Sequence, residues 1–156
     1  MLIFLDTEFS TTYVVPRLIS IGLVSEDGQR EFYAELIDTW RPEHCSEFVL
    51  DTVLPLLEGG AALTTMAELA LKLNRWLEDF DEPVQFITDS PRWDWPLIET
   101  IFKLWPANLV RDPLPLQLNG ERGGRFSKAV EAAFGGGLRR HHALDDARAN
   151  RLGWLA

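Results

Sequence analysis

The sequence predicts an α/β fold on a mixed five-stranded sheet flanked by helices, and three observations carry that prediction. An apolar run, Leu2-Ile3-Phe4-Leu5, ends abruptly in Asp6-Thr7-Glu8. A hairpin pattern follows it, and from Thr65 onward stretches of helical periodicity alternate with short apolar segments. The order β-β-β-α-α-β-α-β-α-α places three antiparallel strands first and then parallel strands joined by helical crossovers. No repeat, low-complexity tract or linker divides residues 1–156, so one domain is expected.

After the first strand, Phe9 to Pro16 reads as a loop. Arg17 to Ser25 follows as a strand, with Ile19, Ile21 and Leu23 alternating with smaller residues. Glu26-Asp27-Gly28 turns the chain into a third strand, Arg30 to Leu36. A helix is expected after Ser46, with Phe48, Val49, Val53 and Leu57 on one side and Pro55 near its end. Thr65 and Glu68 have capping-box spacing, and Met66, Leu69, Leu73, Trp76, Leu77 and Phe80 then recur at helical intervals. Val84 to Thr88 reads as a buried strand, and Asp89-Ser90-Pro91 starts a helix that runs to about Trp105. Leu114 to Leu118, with Pro113 just before it and Pro115 within it, reads as an edge strand. The glycines at 120, 123 and 124 read as a loop, Ser127 as the cap of a helix through Phe134, and Ala143 to Leu155 as the last helix.

Composition narrows the setting. Hydrophobic residues make up 46% of the chain and there are six Trp, which fits a buried core. The apolar runs fall short of the roughly 18 residues of a membrane span, so a cytoplasmic protein with no membrane partner is expected. Cys45 is the single cysteine, which excludes an internal disulfide and a cysteine-rich zinc site. The net charge of −9 argues against a nucleic-acid partner until its distribution is read. Residues 122–156 hold 7 Lys or Arg against 3 acids, so phosphate contacts, if made, belong to that tail.

Asp6 and Glu8 share one face of a strand and raise each other's pKa unless a cation lies between them; the pair marks a metal site or a solvated strand end. In an open α/β sheet, functional groups gather at the carboxyl ends of strands. Asp89 and Asp94 follow the fourth strand at such an end. Asp89 or Ser90 can serve as N-cap, so Asp94, about one turn into the helix, is the better ligand candidate and Asp89 the alternative. The third group is Arg139-Arg140-His141-His142-Ala143-Leu144-Asp145-Asp146, a histidine-bearing loop running into a helix whose small residues allow close packing on a sheet. Carboxylates converging from these segments call for divalent cations, and hard oxygen ligands favour Mg²⁺ or Mn²⁺ over zinc.

Asp6-Thr7-Glu8, Trp93-Asp94 and His141-x-Ala143-Leu144-x-Asp146 occur in an order, spread across nearly the whole chain, that resembles the DEDDh branch of the DnaQ-like 3′→5′ exonucleases. That family has an RNase H-like fold. The alignment selects His141 over His142 and Asp146 over Asp145. Two departures stand out. Phe9-Ser10-Thr11-Thr12 replaces the usual Thr-x-Gly after the first acids, and Asp89-Ser90-Pro91-Arg92-Trp93-Asp94 replaces a segment in which an Asn often precedes Phe-Asp. The second variant resembles a small bacterial group of exoribonuclease-like members.

The resemblance implies two divalent cations, Mg²⁺ or Mn²⁺, with Asp6 bridging them, Glu8 and Asp146 holding one and Asp94 assisting. It implies His141 as general base, and stepwise release of nucleoside 5′-monophosphates from single-stranded RNA or 3′ overhangs. Phe9, Ser10, Thr11 and Trp93 would meet the terminal nucleotides, and Arg139, with Arg122, Arg125, Lys128 and Arg140, would track the phosphates. Small exonucleases of this kind are often homodimers, which makes a second copy a further expected partner. A proofreading-type DNA exonuclease, or a non-catalytic nucleic-acid-binding module on the same fold, are the competing readings.

Overall fold

β1, Leu2–Phe9, runs through the middle of the sheet because both of its faces are apolar: Ile3, Phe4 and Leu5 are fully buried. The computed structural model, which describes Met1 to Ala156, pairs β1 antiparallel with β2, Leu18–Ser25, and β2 antiparallel with β3, Glu31–Leu36. The β2–β3 turn closes as its residues predict. Gly28 takes φ +73°, and Asp27 accepts hydrogen bonds from the Ser25 hydroxyl (2.5 Å) and the Gln29 N–H (3.0 Å). β4, Leu63–Thr64, lies parallel to β3; β5, Gln85–Thr88, lies parallel to β1; and β6, Leu114–Pro115, lies parallel to β5. The sheet order is β4-β3-β2-β1-β5-β6.

The sheet therefore has six strands rather than five. The additional one, β4, spans two residues just before a helix cap, too short to carry an alternation that could be read. The edge strand expected over Leu114 to Leu118 likewise shrinks to β6, two residues that end at a proline.

Helices cover both faces. α1, Met66–Glu78, has the expected capping box: Thr65 Oγ1 accepts from the Glu68 N–H (3.3 Å) and Glu68 Oε2 accepts from the Thr65 N–H (3.0 Å). It buries Leu69, Leu73 and Leu77 against Ile3, Leu5, Ile21 and Leu23, each leucine contributing about 1.5–3 kcal/mol by transfer from water. α2, Pro91–Ile101, joins α1 on that face through Leu97, Ile98 and Ile101. It stops short of Trp105, whose indole N–H instead donates to Leu109 O (2.8 Å) in the chain beyond. α3, Gly120–Gly135, and α4, Ala143–Trp154, occupy the opposite face, where Ala147 meets Phe4, Val24 and Ile87.

α3 begins at Gly120, so its glycines are helical and Ser127 is not a cap. Its hydroxyl donates back to Gly123 O (3.0 Å). Packing overrides propensity here: a Cβ at Gly153 of α4 would sit 2.6 Å from the Phe126 ring, a measure of how closely α3 and α4 meet. The helix expected after Ser46 is a widened π turn, Val49–Val53, followed by a 3₁₀ turn, Leu54–Leu56. Val49 and Val53 stay buried on Ile19, while Phe48 leaves the stripe and is exposed.

Gly22 governs how α4 sits. It pairs with Asp6 across β1 and β2, and a Cβ there would lie 2.2 Å from Leu144 N and 2.3 Å from Ala143 C. Glycine lets the helix backbone rest directly on the sheet. No helix is long and apolar enough to cross a membrane.

Candidate metal centre

β1 and β5 run parallel with Phe4 beside Ile87, so continuing the register two residues brings Asp6 level with Asp89 at the carboxyl ends of both strands. Asp94 enters from the first turn of α2 and Asp146 from the first turn of α4. Asp6, Asp89 and Asp94 bring one carboxylate oxygen each within 4.8 Å of one another; Glu8, His141 and Asp146 do the same with two oxygens and a ring nitrogen. All six line one cleft of about 290 Å³. The structure thus gathers Asp6, Glu8, Asp94, His141 and Asp146, and it adds Asp89. The sequence ranks Asp89 behind Asp94, as the alternative ligand, because Asp89 or Ser90 could cap α2; Ser90 occupies the N-cap position.

The cluster is unbalanced in charge. Burial, then Asp94, Glu8, Asp146 and Asp89, push Asp6 well above the ordinary carboxylate range. Burial, then Asp146 and Asp94, raise Glu8 to about 8. Asp146 is raised to about 7 by burial, with Asp89 adding to it, although the His141 N–H (2.8 Å) and Arg140 pull the other way. Arg140 is the one basic side chain other than His141 on the cleft, and it is itself paired with Glu131 (2.8 Å). Five carboxylates with so little internal compensation fit divalent cations, and a donor set of oxygens with one imidazole and no thiolate fits Mg²⁺ or Mn²⁺.

Asp94 is 1% exposed and gripped from two strands. Thr7 Oγ1 donates to Asp94 Oδ1 (2.5 Å) and Thr88 Oγ1 donates to Asp94 Oδ2. An ionised carboxylate only accepts, so the Thr88 proton goes to Asp94, while Thr88 Oγ1 in turn accepts from the Ser90 N–H (3.0 Å). Burial raises Asp94 to about 6, against the pull of both hydroxyls. Neither threonine stood out in the sequence; the signal that could have found them is their place beside acids in Asp6-Thr7-Glu8 and Thr88-Asp89.

His141 takes φ +67°, a left-handed conformation that costs an L residue about 1–2 kcal/mol. Its pKa is lowered by burial and then by Arg140, so it is neutral at pH 7 and can accept a proton. His142 points away from the cleft. It is 2% exposed and its ring stacks on Tyr33 at 4.6 Å. Asp145 is likewise turned from the cleft and held by Arg139 Nε (2.6 Å) and Arg148 Nη1 (2.7 Å). Arg139, expected to track phosphates, is therefore committed elsewhere: it bridges Asp145 and Glu58 (2.9 Å).

Phe9 and Trp93 line the cleft and stack on each other, centroids 6.0 Å apart. Ser10 does not reach it. Fully buried, it holds the following loop by accepting from the Arg17 N–H (3.1 Å). Thr11 lines an adjoining hollow of about 280 Å³ that shares Glu8, Phe9 and His141 with the cleft. Phe48, not singled out as a site residue, also lines that hollow and meets the His141 ring edge-on at 5.0 Å. The chain matches no protein-family model and no curated protein.

Proposed function

We propose that the protein is a metal-dependent 3′→5′ exonuclease acting on single-stranded RNA, of the DEDDh type and with an RNase H-like arrangement of its sheet. The observation that carries this reading is the cleft in which five carboxylates and a neutral histidine converge with one paired arginine to balance them. The three motifs at its wall support it, as does a sheet in which antiparallel β1, β2 and β3 adjoin parallel β5 and β6.

Asp6, Glu8, Asp94 and Asp146 would hold two divalent cations, with Asp89 within reach of the Asp6–Asp94 side. When bound, such ions supply charge neutralisation and Lewis acidity to an in-line phosphodiester displacement. His141, within reach of Glu8 and Asp146, takes the proton of the attacking water. The stacked Phe9 and Trp93 give terminal bases an aromatic surface, and Arg140 offers a cation to a phosphate. Hydrolysis at the 3′ end releases nucleoside 5′-monophosphates.

The test is to incubate 5′-labelled RNA and DNA of one sequence with Mg²⁺, Mn²⁺ or chelator, with His141→Ala as control. Stepwise shortening that needs metal and His141, faster on RNA, is the expected result. Faster shortening of DNA assigns the proofreading-type activity. Binding without shortening assigns a nucleic-acid-binding module.

A further inference from the structure

We propose that Glu58 is a positioning residue for His141, acting through Arg139 and His142. The inference rests on the reading of His141 as the proton acceptor. It starts from the left-handed backbone at His141, a conformation that persists only where the flanking chain is held on both sides. Both flanks are held, and by the same group. Arg139 donates to Glu58 Oε1 through Nη2 (2.9 Å), and His142 Nε2 lies 3.4 Å from that same oxygen.

The tautomer of His142 follows from its other nitrogen. Nδ1 accepts from the Asp145 N–H (3.4 Å), so the ring proton sits on Nε2, on the side of the ring nearest Glu58. Nε2 is buried and makes no hydrogen bond, so the Glu58 carboxylate 3.4 Å away is the charge set closest against it.

Glu58 in turn is fixed to the sheet. Its N–H and that of Gly59 donate to the two carboxylate oxygens of Glu35 (2.6 and 2.9 Å), which is 1% exposed on β3 and also accepts from the Tyr33 hydroxyl (2.8 Å). Tyr33 carries the His142 ring on its face. A continuous path thus runs from β3 through Glu35 and Glu58 to the residues on either side of His141. A second path runs from α4, where Asp146 Oδ2 accepts the His141 N–H. With the first path cut, His141 keeps its bond to Asp146 and Arg139 its bonds to Asp145, but the tie from β3 that completes the placement of the His141 ring is lost. Misplacement of that order slows a reaction without weakening the binding of metal or substrate.

The experiment compares Glu58→Ala with Glu58→Gln, which keeps an acceptor oxygen for Arg139 and His142. In the RNA-shortening assay Glu58→Ala is expected to lower kcat ten- to a hundredfold, with KM and the calorimetric Mn²⁺ affinity unchanged, and Glu58→Gln to restore most of the rate. In parallel, the His141 ring proton resonances move in Glu58→Ala and stay in place in Glu58→Gln. Wild-type kcat in an active Glu58→Ala protein overturns the inference and leaves the exonuclease reading standing. So does a loss of Mn²⁺ affinity that matches the loss of kcat, since Glu58 would then support the whole centre. If the wild-type protein shortens nothing, the exonuclease reading fails, and unmoved His141 resonances in Glu58→Ala then overturn the positional link as well.

Discussion

Asp145 and Asp146 are consecutive residues of α4, and His141 and His142 are consecutive in the loop before it. In each pair one residue faces the cleft and the other faces β3 and the Glu58 turn. On the β3 side, burial alone would raise Asp145, but Arg139 and Arg148 outweigh it and hold the carboxyl below its ordinary range. On the cleft side, burial and neighbouring acids raise Asp146 to about 7. The difference teaches that burial does not decide a carboxylate's role. A buried acid with its own guanidinium partners is complete, whereas one among other acids lacks a counter-charge that must come from outside the chain.

Substitution at the two aspartates should separate these roles most sharply. Asp146→Asn is expected to lower exonuclease rate on the order of 10²–10³-fold while the chelated protein melts no lower than wild type at pH 8; a retained rate breaks the comparison. Asp145→Asn should instead cost about 3 kcal/mol in chemical denaturation, because it strips Arg139 and Arg148 of their shared partner.

A pH series sharpens the contrast next. Glu8 near 8, Asp146 near 7 and Asp94 near 6 lie above the unfolded values near 4, so the folded chain binds more protons than the unfolded chain between those limits. The contribution of these three groups to the stability of the metal-free protein is therefore fully present below pH 4 and lost as the pH rises toward 8. Melting temperature in chelator should fall by roughly 5 °C from pH 5 to pH 8 and recover with excess Mn²⁺; a flat profile would show the cluster to be compensated already.

Smaller effects belong to the supports. Thr88→Val should weaken Mn²⁺ binding about tenfold by calorimetry, with Thr88→Ser close to wild type. Arg140→Ala should reduce the salt slope of RNA binding by about one, whereas Arg139→Ala leaves that slope unchanged and lowers melting temperature.

What the sequence disclosed follows from how far each signal reaches. β1, β2, β3 and α1 were legible because alternation, turn residues and a capping box act over neighbouring positions. β4, β6 and the glycine-rich start of α3 were not, since tertiary pairing and helix packing create them. In the site, acids and a histidine carried by three separate segments could be picked out by type and order. Asp89 ranked only as the alternative to Asp94 because a cap also accounts for it, and Thr7 and Thr88 look like ordinary strand residues until Asp94 folds between them. Arg139 read as a phosphate contact because its partners, Asp145 and Glu58, lie 6 and 81 residues away.

The bare contact of α4 with Gly22 has a consequence for motion. Where backbone rests on backbone, no side chain can change rotamer to absorb a displacement, so Asp146 travels with Asp6 and Glu8 as a single body. Any widening of the cleft to admit a strand or discharge a nucleotide must then come from walls outside that body, the Trp93 side chain and the segment bearing Phe48.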